Sequence, residues 1–115
     1  MVSTLAKLTV VAVDDDDLAL SLLESVLINE GFEVFTTTDS ETAIKLIEEK
    51  RPAVVLSDLM MPNVDGFELC KQVREHPELN ETKFVVISAK AYHSDENRAR
   101  DLGANGFIRK PIDPE

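Results

Sequence analysis

The chain has 115 residues and a mass of 12.8 kDa, room for one domain and no more. With 12 basic and 22 acidic side chains its net charge is −10 at pH 7, which disfavours gripping nucleic acid phosphates or an anionic membrane. The single cysteine, Cys70, excludes an intrachain disulfide framework and a Cys-rich zinc site, and the 43% hydrophobic content is too high for a disordered acidic tail.

No run approaches the ~20 apolar residues of a membrane span, and the N-terminus lacks a signal peptide's h-region. A cytoplasmic domain is the expectation. The charge is uneven: residues 1–66 carry 13 acids and 4 bases, whereas residues 83–110 carry 6 bases and 3 acids. No Pro/Gly/Ser-rich linker separates the two regions, so residues 1–115 read as one domain.

Along the chain the apolar period changes repeatedly. Leu8–Val13 is a short β-rich run that ends at Asp14. From Asp17 to Glu30 apolar residues recur at helical spacing (Leu18, Leu22 and Val26, with Leu23 and Leu27 beside them), and Gly31 supplies a stop. Glu33–Thr37 reads as a second strand, followed by a helix to Lys50 that Asp39 or Ser40 caps. After Arg51-Pro52 comes a third apolar run, Ala53–Ser57, ending at Asp58, and then a loop with the turn residues Pro62, Asn63 and Gly66. Phe67–Glu75 suits a helix, Phe84–Ser88 a strand, Asp95–Leu102 a helix and Gly106–Ile108 a fifth strand. Near-continuous apolar strands joined by helical crossovers imply a parallel sheet covered on both faces. The predicted fold is α/β, a doubly wound, flavodoxin-like, five-stranded parallel sheet of order 2-1-3-4-5 with the fifth helix missing.

Ligands of open α/β sheets bind outside the carboxyl ends of the strands. Those ends carry Asp14 and Asp15, Asp58, Ser88 and Lys110. Three carboxylates at one edge repel unless a cation or proton intervenes. Oxygen-only ligands suit Mg²⁺, and a hydroxyl and an ammonium opposite suit phosphate oxygens. Singly, each residue has an equally good ordinary role: helix capping for Asp14–Asp17, a turn cap for Asp58, a satisfied hydroxyl for Ser88, a surface amine for Lys110. Their joint placement favours a site.

The stretches VAVDDDD (11–17), VVLSDLMMPNVDGFEL (54–69), FVVISAKA (84–91) and GFIRKPI (106–112) resemble the receiver domain of two-component response regulators, over essentially the whole chain. The most specific is the second, an acid after an apolar strand followed by Met-Pro-x-x-Asp-Gly. The resemblance implies that Asp58 is the phospho-acceptor, forming an acyl phosphate. It implies Asp15 as a direct Mg²⁺ ligand aided by Asp14, with Asp58 and the backbone carbonyl of Met60 completing the protein's share. Lys110 would pair with a phosphoryl oxygen, with a cis peptide to Pro111, and Ser88 would close on another oxygen after phosphorylation. Phe107 holds the position of a ring that repositions with Ser88. Met61-Pro62 and Asp65-Gly66 shape the loop and start the third helix.

The function so implied is a phosphorylation-driven switch, not an enzyme beyond self-catalysed phosphoryl transfer and dephosphorylation at Asp58. Its partners are a sensor histidine kinase or phosphotransfer protein as donor and an output domain or protein as reader. Met60 has no polar group to orient water, so slow phosphate loss is expected, with Lys90 acting either way. His76 and His93 read as surface residues and Cys70 as a buried inert thiol.

Two other readings stand beside this one. Asp14-x-Asp16, Ser88 and Lys110 loosely resemble a haloacid-dehalogenase-type Mg²⁺-dependent phosphohydrolase with Asp14 as nucleophile, but late acids and a cap insertion are missing. A non-phosphorylated pseudo-receiver is disfavoured by the complete residue set. Asp113-Pro114-Glu115 has the signature of a helix start. The expectation is therefore a chain cut before its last helix, with apolar side chains of strands 3, 4 and 5 uncovered and self-association through that face.

Overall fold

The computed structural model describes residues 7–89 and 92–110. Its strands are β1 (Thr9–Val13), β2 (Glu33–Thr37), β3 (Val54–Asp58), β4 (Lys83–Ser88) and β5 (Gly106–Arg109). All neighbouring pairs are parallel, in the order β2-β1-β3-β4-β5. The crossovers carry α1 (Asp17–Asn29), α2 (Ser40–Lys50), α3 (Gly66–Arg74) and α4 (His93–Asp101). This is the order expected for a flavodoxin-like doubly wound sheet. None of the described helices is long and apolar enough to cross a membrane.

Each early helix starts where a carboxylate meets its orphan amides. Asp16 accepts from the N–H groups of Leu18 and Ala19, Asp39 from Glu41 and Asp65 from Glu68. Such caps contribute about 1 kcal/mol apiece. Gly31 after α1 sits at φ +96°, where a side chain would be strained. Val11, Val13, Val55, Phe84 and Val86 face α2, α3 and α4, packing with Ala43, Ile47, Leu69, Cys70, Val73 and Ala99. The alternate residues Val10 and Ala12 are buried as well, so β1 is covered on both faces.

Several boundaries differ from expectation by a residue or two, and one turn is new. Asp58 is the last residue of β3, paired with Ile87, rather than the first beyond it. α4 begins at His93 because the Asp95 carboxylate, instead of leading the helix, turns back to accept from the Tyr92 N–H at 3.1 Å. Between α3 and β4 a single 3₁₀ turn, Pro77–Leu79, went unforeseen because three residues show no period.

At the amino ends of the strands, Arg74 gathers separate segments. Its guanidinium donates to the carbonyls of Gly103, Leu79 and Thr82 and to Asn105 Oδ1. Asn105 Oδ1 also accepts from the Phe84 N–H at the start of β4.

The opposite face holds a groove of about 650 Å³ lined by Leu22, Leu23 and Val26 of α1 and by Leu56, Ile87 and Ala89. The expected exposure of strands 3 and 4 is corrected here. Ile87 is buried and Leu56 half-buried, forming a floor beneath the wall of α1, and Val85 is half-buried as well. The exposed apolar surface lies on the wall and rim instead: Leu22 is 61%, Val26 47% and Ile108 43% exposed. The proposed helix start at residues 113–115 and the Lys110-Pro111 peptide lie outside the described residues.

Candidate functional site

Parallel pairing delivers the acidic residues together. Val13 lies beside Ser57, Asp58 beside Ile87 and Ser88 beside Arg109, so the chain leaves β1, β3, β4 and β5 at one edge. One carboxylate oxygen from each of Asp14, Asp15 and Asp58 falls within 4.8 Å of the other two. Asp14 is 5% exposed, whereas Asp15 is open to solvent. Lys110, next after β5, places its ammonium 2.8 Å from Asp14 Oδ2 and 3.7 Å from Asp58 Oδ1.

The two central carboxylates differ in how they are held. Both oxygens of Asp14 are engaged: Oδ1 accepts from the Asp16 N–H at 3.0 Å and Oδ2 from Lys110. Asp58 Oδ1 accepts from the Leu59 N–H at 2.9 Å. Of these two, Asp58 is the one with an oxygen that no hydrogen bond among the described residues engages.

Burial pushes the Asp58 carboxyl above its ordinary pKa, and the Asp14 charge adds to this against the pull of Lys110 and the Leu59 N–H. For Lys110 burial disfavours the charge, but its hydrogen bond to Asp14 and the nearby carboxylates win, so the ammonium is held more firmly than usual. The ammonium therefore relieves part of the repulsion that three clustered acids create. That relief is incomplete. The remaining all-oxygen donor set fits a hard divalent cation.

Ser88 is buried at the end of β4, and its backbone carbonyl accepts from the Lys110 N–H at 2.9 Å. Phe107 pairs with Val86 in the sheet and is half-buried against the main core, next to Glu96, Ala99 and Arg100 of α4. Met60 follows Asp58 by two residues, and its side chain is 67% exposed. Lys90 lies outside the described residues.

One support of this loop escapes a reading by motif, and another gives the expected loop-shaping glycine its physical form. Ser40, at the start of α2, donates to the Pro62 carbonyl at 3.0 Å and accepts from the Val64 N–H at 3.3 Å. Gly66, expected to shape this loop, lies so close to the end of β3 that an added Cβ would sit 2.6 Å from the Asp58 carbonyl oxygen. Asn63 adopts φ 70°, which its short polar side chain tolerates in a turn. The Ser40 contact has no signal in the sequence beyond the residue type itself.

Cys70 is buried as expected, and burial pushes its thiol up to about 11. His93 is exposed, but His76 corrects its expectation. It is only half exposed, because the end of α2 brings Glu48 into ion-pair contact with it.

The family model described as the response regulator receiver domain matches residues 10–115. The chain is 32% identical over 105 residues to the alkaline phosphatase synthesis transcriptional regulatory protein PhoP of Bacillus subtilis, covering 91% of this chain but only 43% of PhoP. Among solved structures, the chemotaxis protein CheY4 of Vibrio cholerae superposes with a TM-score of 0.90 at 29% identity, covering 95% of this chain and 91% of that one. The receiver domain of the sensor histidine kinase PA1611 of Pseudomonas aeruginosa, a structure with a magnesium ion coordinated in its active site cleft, superposes with a TM-score of 0.85 at 22% identity. It covers 95% of this chain and 89% of its own. With the sheet order, the acidic edge and a family match across nearly the whole chain, this protein belongs to the response regulator receiver domain family.

Proposed function

We propose that the chain is a phospho-acceptor signalling domain with Asp58 as the acceptor. The observation that carries this reading is the convergence of Asp14, Asp15 and Asp58 with the Lys110 ammonium at one sheet edge. An Asp58 carboxylate oxygen attacks phosphorus, the new O–P bond gives an acyl phosphate, and the donor's bond to phosphorus breaks with its electron pair leaving on the donor. Asp14, Asp15, Asp58 and the Met60 carbonyl would hold Mg²⁺, which when bound neutralises charge on the phosphoryl oxygens. Lys110 provides the second positive partner, turning from Asp14 toward the phosphoryl group.

The added charge of roughly −1.5 to −2 would then draw the Ser88 hydroxyl and free Phe107 to repack against α4. A sensor histidine kinase or phosphotransfer protein would donate, and an output domain or protein would read the change. PhoP is a transcriptional regulator and CheY4 a chemotaxis protein, so the family serves outputs of different kinds.

The test is incubation with Mg²⁺ and a small phosphodonor, or with beryllofluoride as its mimic. One site should be filled, Asp58→Asn should abolish filling, and Asp14→Asn should only weaken it. Loss with Asp14→Asn but retention with Asp58→Asn would overturn the reading in favour of a hydrolase with its nucleophile at Asp14.

A further inference from the structure

The loop between β3 and α3 carries Met60, whose carbonyl is the backbone group in the Mg²⁺ set proposed above. It folds back through a tight turn: the Val64 N–H donates to the Pro62 carbonyl at 2.8 Å across Asn63, which stands at φ 70°. A three-residue turn of this hand is rare and strained, and it persists where its surroundings hold it. Within the loop, the Gly66 N–H closes on the Leu59 carbonyl at 2.8 Å, and the Leu59 and Met61 side chains are buried. A further hold comes from α2. Ser40, Ala43 and Ile47 are buried at helical spacing, which turns the Ser40 hydroxyl inward at the first position of that helix. Its Oγ donates to the Pro62 carbonyl at 3.0 Å and accepts from the Val64 N–H at 3.3 Å. One hydroxyl, on a residue only 5% exposed, thus engages both ends of the strained turn.

We infer that, on the reading of the acidic edge as a Mg²⁺-assisted phospho-acceptor site, Ser40 is a positioning residue for the metal. It acts through the loop, without touching the ion. Met60 lies midway between Asp58 and Pro62, and its side chain is 67% exposed, so it does not anchor its own peptide. The placing of its carbonyl falls to the residues on either side: the end of β3 before it, and the turn that Ser40 holds after it. Mg²⁺ demands near-ideal octahedral geometry at about 2.0–2.1 Å, so a ligand that wanders by a fraction of an ångström costs affinity.

The same contacts separate positioning from folding. When the hydroxyl is removed, the Pro62 carbonyl and the Val64 N–H keep each other, so neither is orphaned. The loss falls on where the loop sits. Thr42 supplies the contrast: its Oγ1 donates to the Asp39 carbonyl at 3.1 Å inside the same helix start, on the exposed side.

The experiment uses the full chain. Mg²⁺ is titrated into the parent, Ser40→Ala, Ser40→Thr and Thr42→Ala and followed by the amide resonances of Asp15 and Leu59, with urea unfolding measured free of metal. Ser40→Ala should weaken Mg²⁺ binding by about tenfold. Its Val64 amide should exchange faster than the parent's even without metal. Ser40→Thr, which keeps the hydroxyl, should bind as the parent does, and so should Thr42→Ala even where urea shows lost stability. Equal Mg²⁺ affinity in the parent and Ser40→Ala would overturn the role of Ser40 alone, whereas a parent that binds no Mg²⁺ would overturn the reading of the acidic edge with it. Weakening in Ser40→Thr or Thr42→Ala as large as in Ser40→Ala would also overturn that role, leaving Ser40 a part of the fold only. So would a Val64 exchange rate unchanged by Ser40→Ala.

Discussion

Replacing Gly66 with alanine sets local helix propensity against tertiary packing, and the two predict opposite signs. Gly66 is the first residue of α3. On propensity alone, Gly→Ala in a helix stabilises by roughly 0.5–1 kcal/mol. The new Cβ, however, would lie 2.6 Å from the Asp58 carbonyl oxygen and 2.9 Å from Leu59 Cα, both backbone atoms with no rotamer to yield. Restoring ordinary contact requires the start of α3 to move away from the end of β3 by nearly an ångström. The 2.8 Å bond from the Gly66 N–H to the Leu59 carbonyl is then stretched or lost.

Overpacking of this kind costs about 1–3 kcal/mol, and the weakened hydrogen bond about 1 more. The balance is a net destabilisation of about 2–3 kcal/mol, or roughly 10–20 °C in melting temperature for a domain of this size. Urea unfolding of the parent and of Gly66→Ala, read by circular dichroism, measures it. The same variant should take up beryllofluoride more weakly, since the displaced backbone carries Asp58, the proposed acceptor. A variant as stable as the parent, or more stable, refutes the reasoning.

Four further outcomes follow from the site and its surroundings. The raised Asp58 pKa means that the folded state binds its proton more tightly than the unfolded state; stability from this group is fully present below the ordinary carboxylate pKa and is lost as pH rises through the folded value. Asp58→Asn should therefore be more stable than the parent at neutral pH, with the advantage fading near pH 4 in parallel urea titrations. Millimolar Mg²⁺ should raise the parent's melting temperature by binding the native state, and Asp15→Ala should remove most of that rise; an unchanged rise would show the ligand assignment to be wrong. Met60→Asn should speed loss of the acyl phosphate several-fold, followed by radiolabel decay, and no acceleration counts against a role for that position in water access. Sedimentation at micromolar concentration should show self-association through the α1 groove, which Leu22→Glu should abolish; a monomer that binds no hydrophobic dye refutes it.

The elements were legible because β1, β3 and β4 are short apolar runs and each early helix opens on an aspartate. Asp14, Asp15, Asp58, Ser88 and Lys110 were legible as a group once the strands were taken to be parallel, since that alone sends their carboxyl ends to one side. Their internal arrangement was not. Which of Asp14 and Asp58 receives the Lys110 ammonium depends on distances of an ångström between residues far apart in the chain. The start of α4 was misplaced because an aspartate at the third helical position reads like one at the cap. His76 looked solvent-facing because nothing near it in sequence announces Glu48. Such pairings arise only when two helices pack, and no local pattern encodes them.

The guanidinium of Arg74 gives the sheet unequal ends. It clamps the chain just ahead of β4 and β5 by holding the Thr82 carbonyl and the Asn105 side chain, with Leu79 and Gly103 as outer moorings. At the far tips of those strands the chain is joined differently: the Lys110 N–H donates to the Ser88 carbonyl, and the lysine's ammonium spans two carboxylates. The two strands are thus pinned at the base by one guanidinium. A disturbance at the tips meets a base that resists sliding, so strand register is preserved while the edge carrying Asp14 and Asp58 adjusts. Amide exchange should be graded accordingly, slowest at Phe84 and faster toward Ser88.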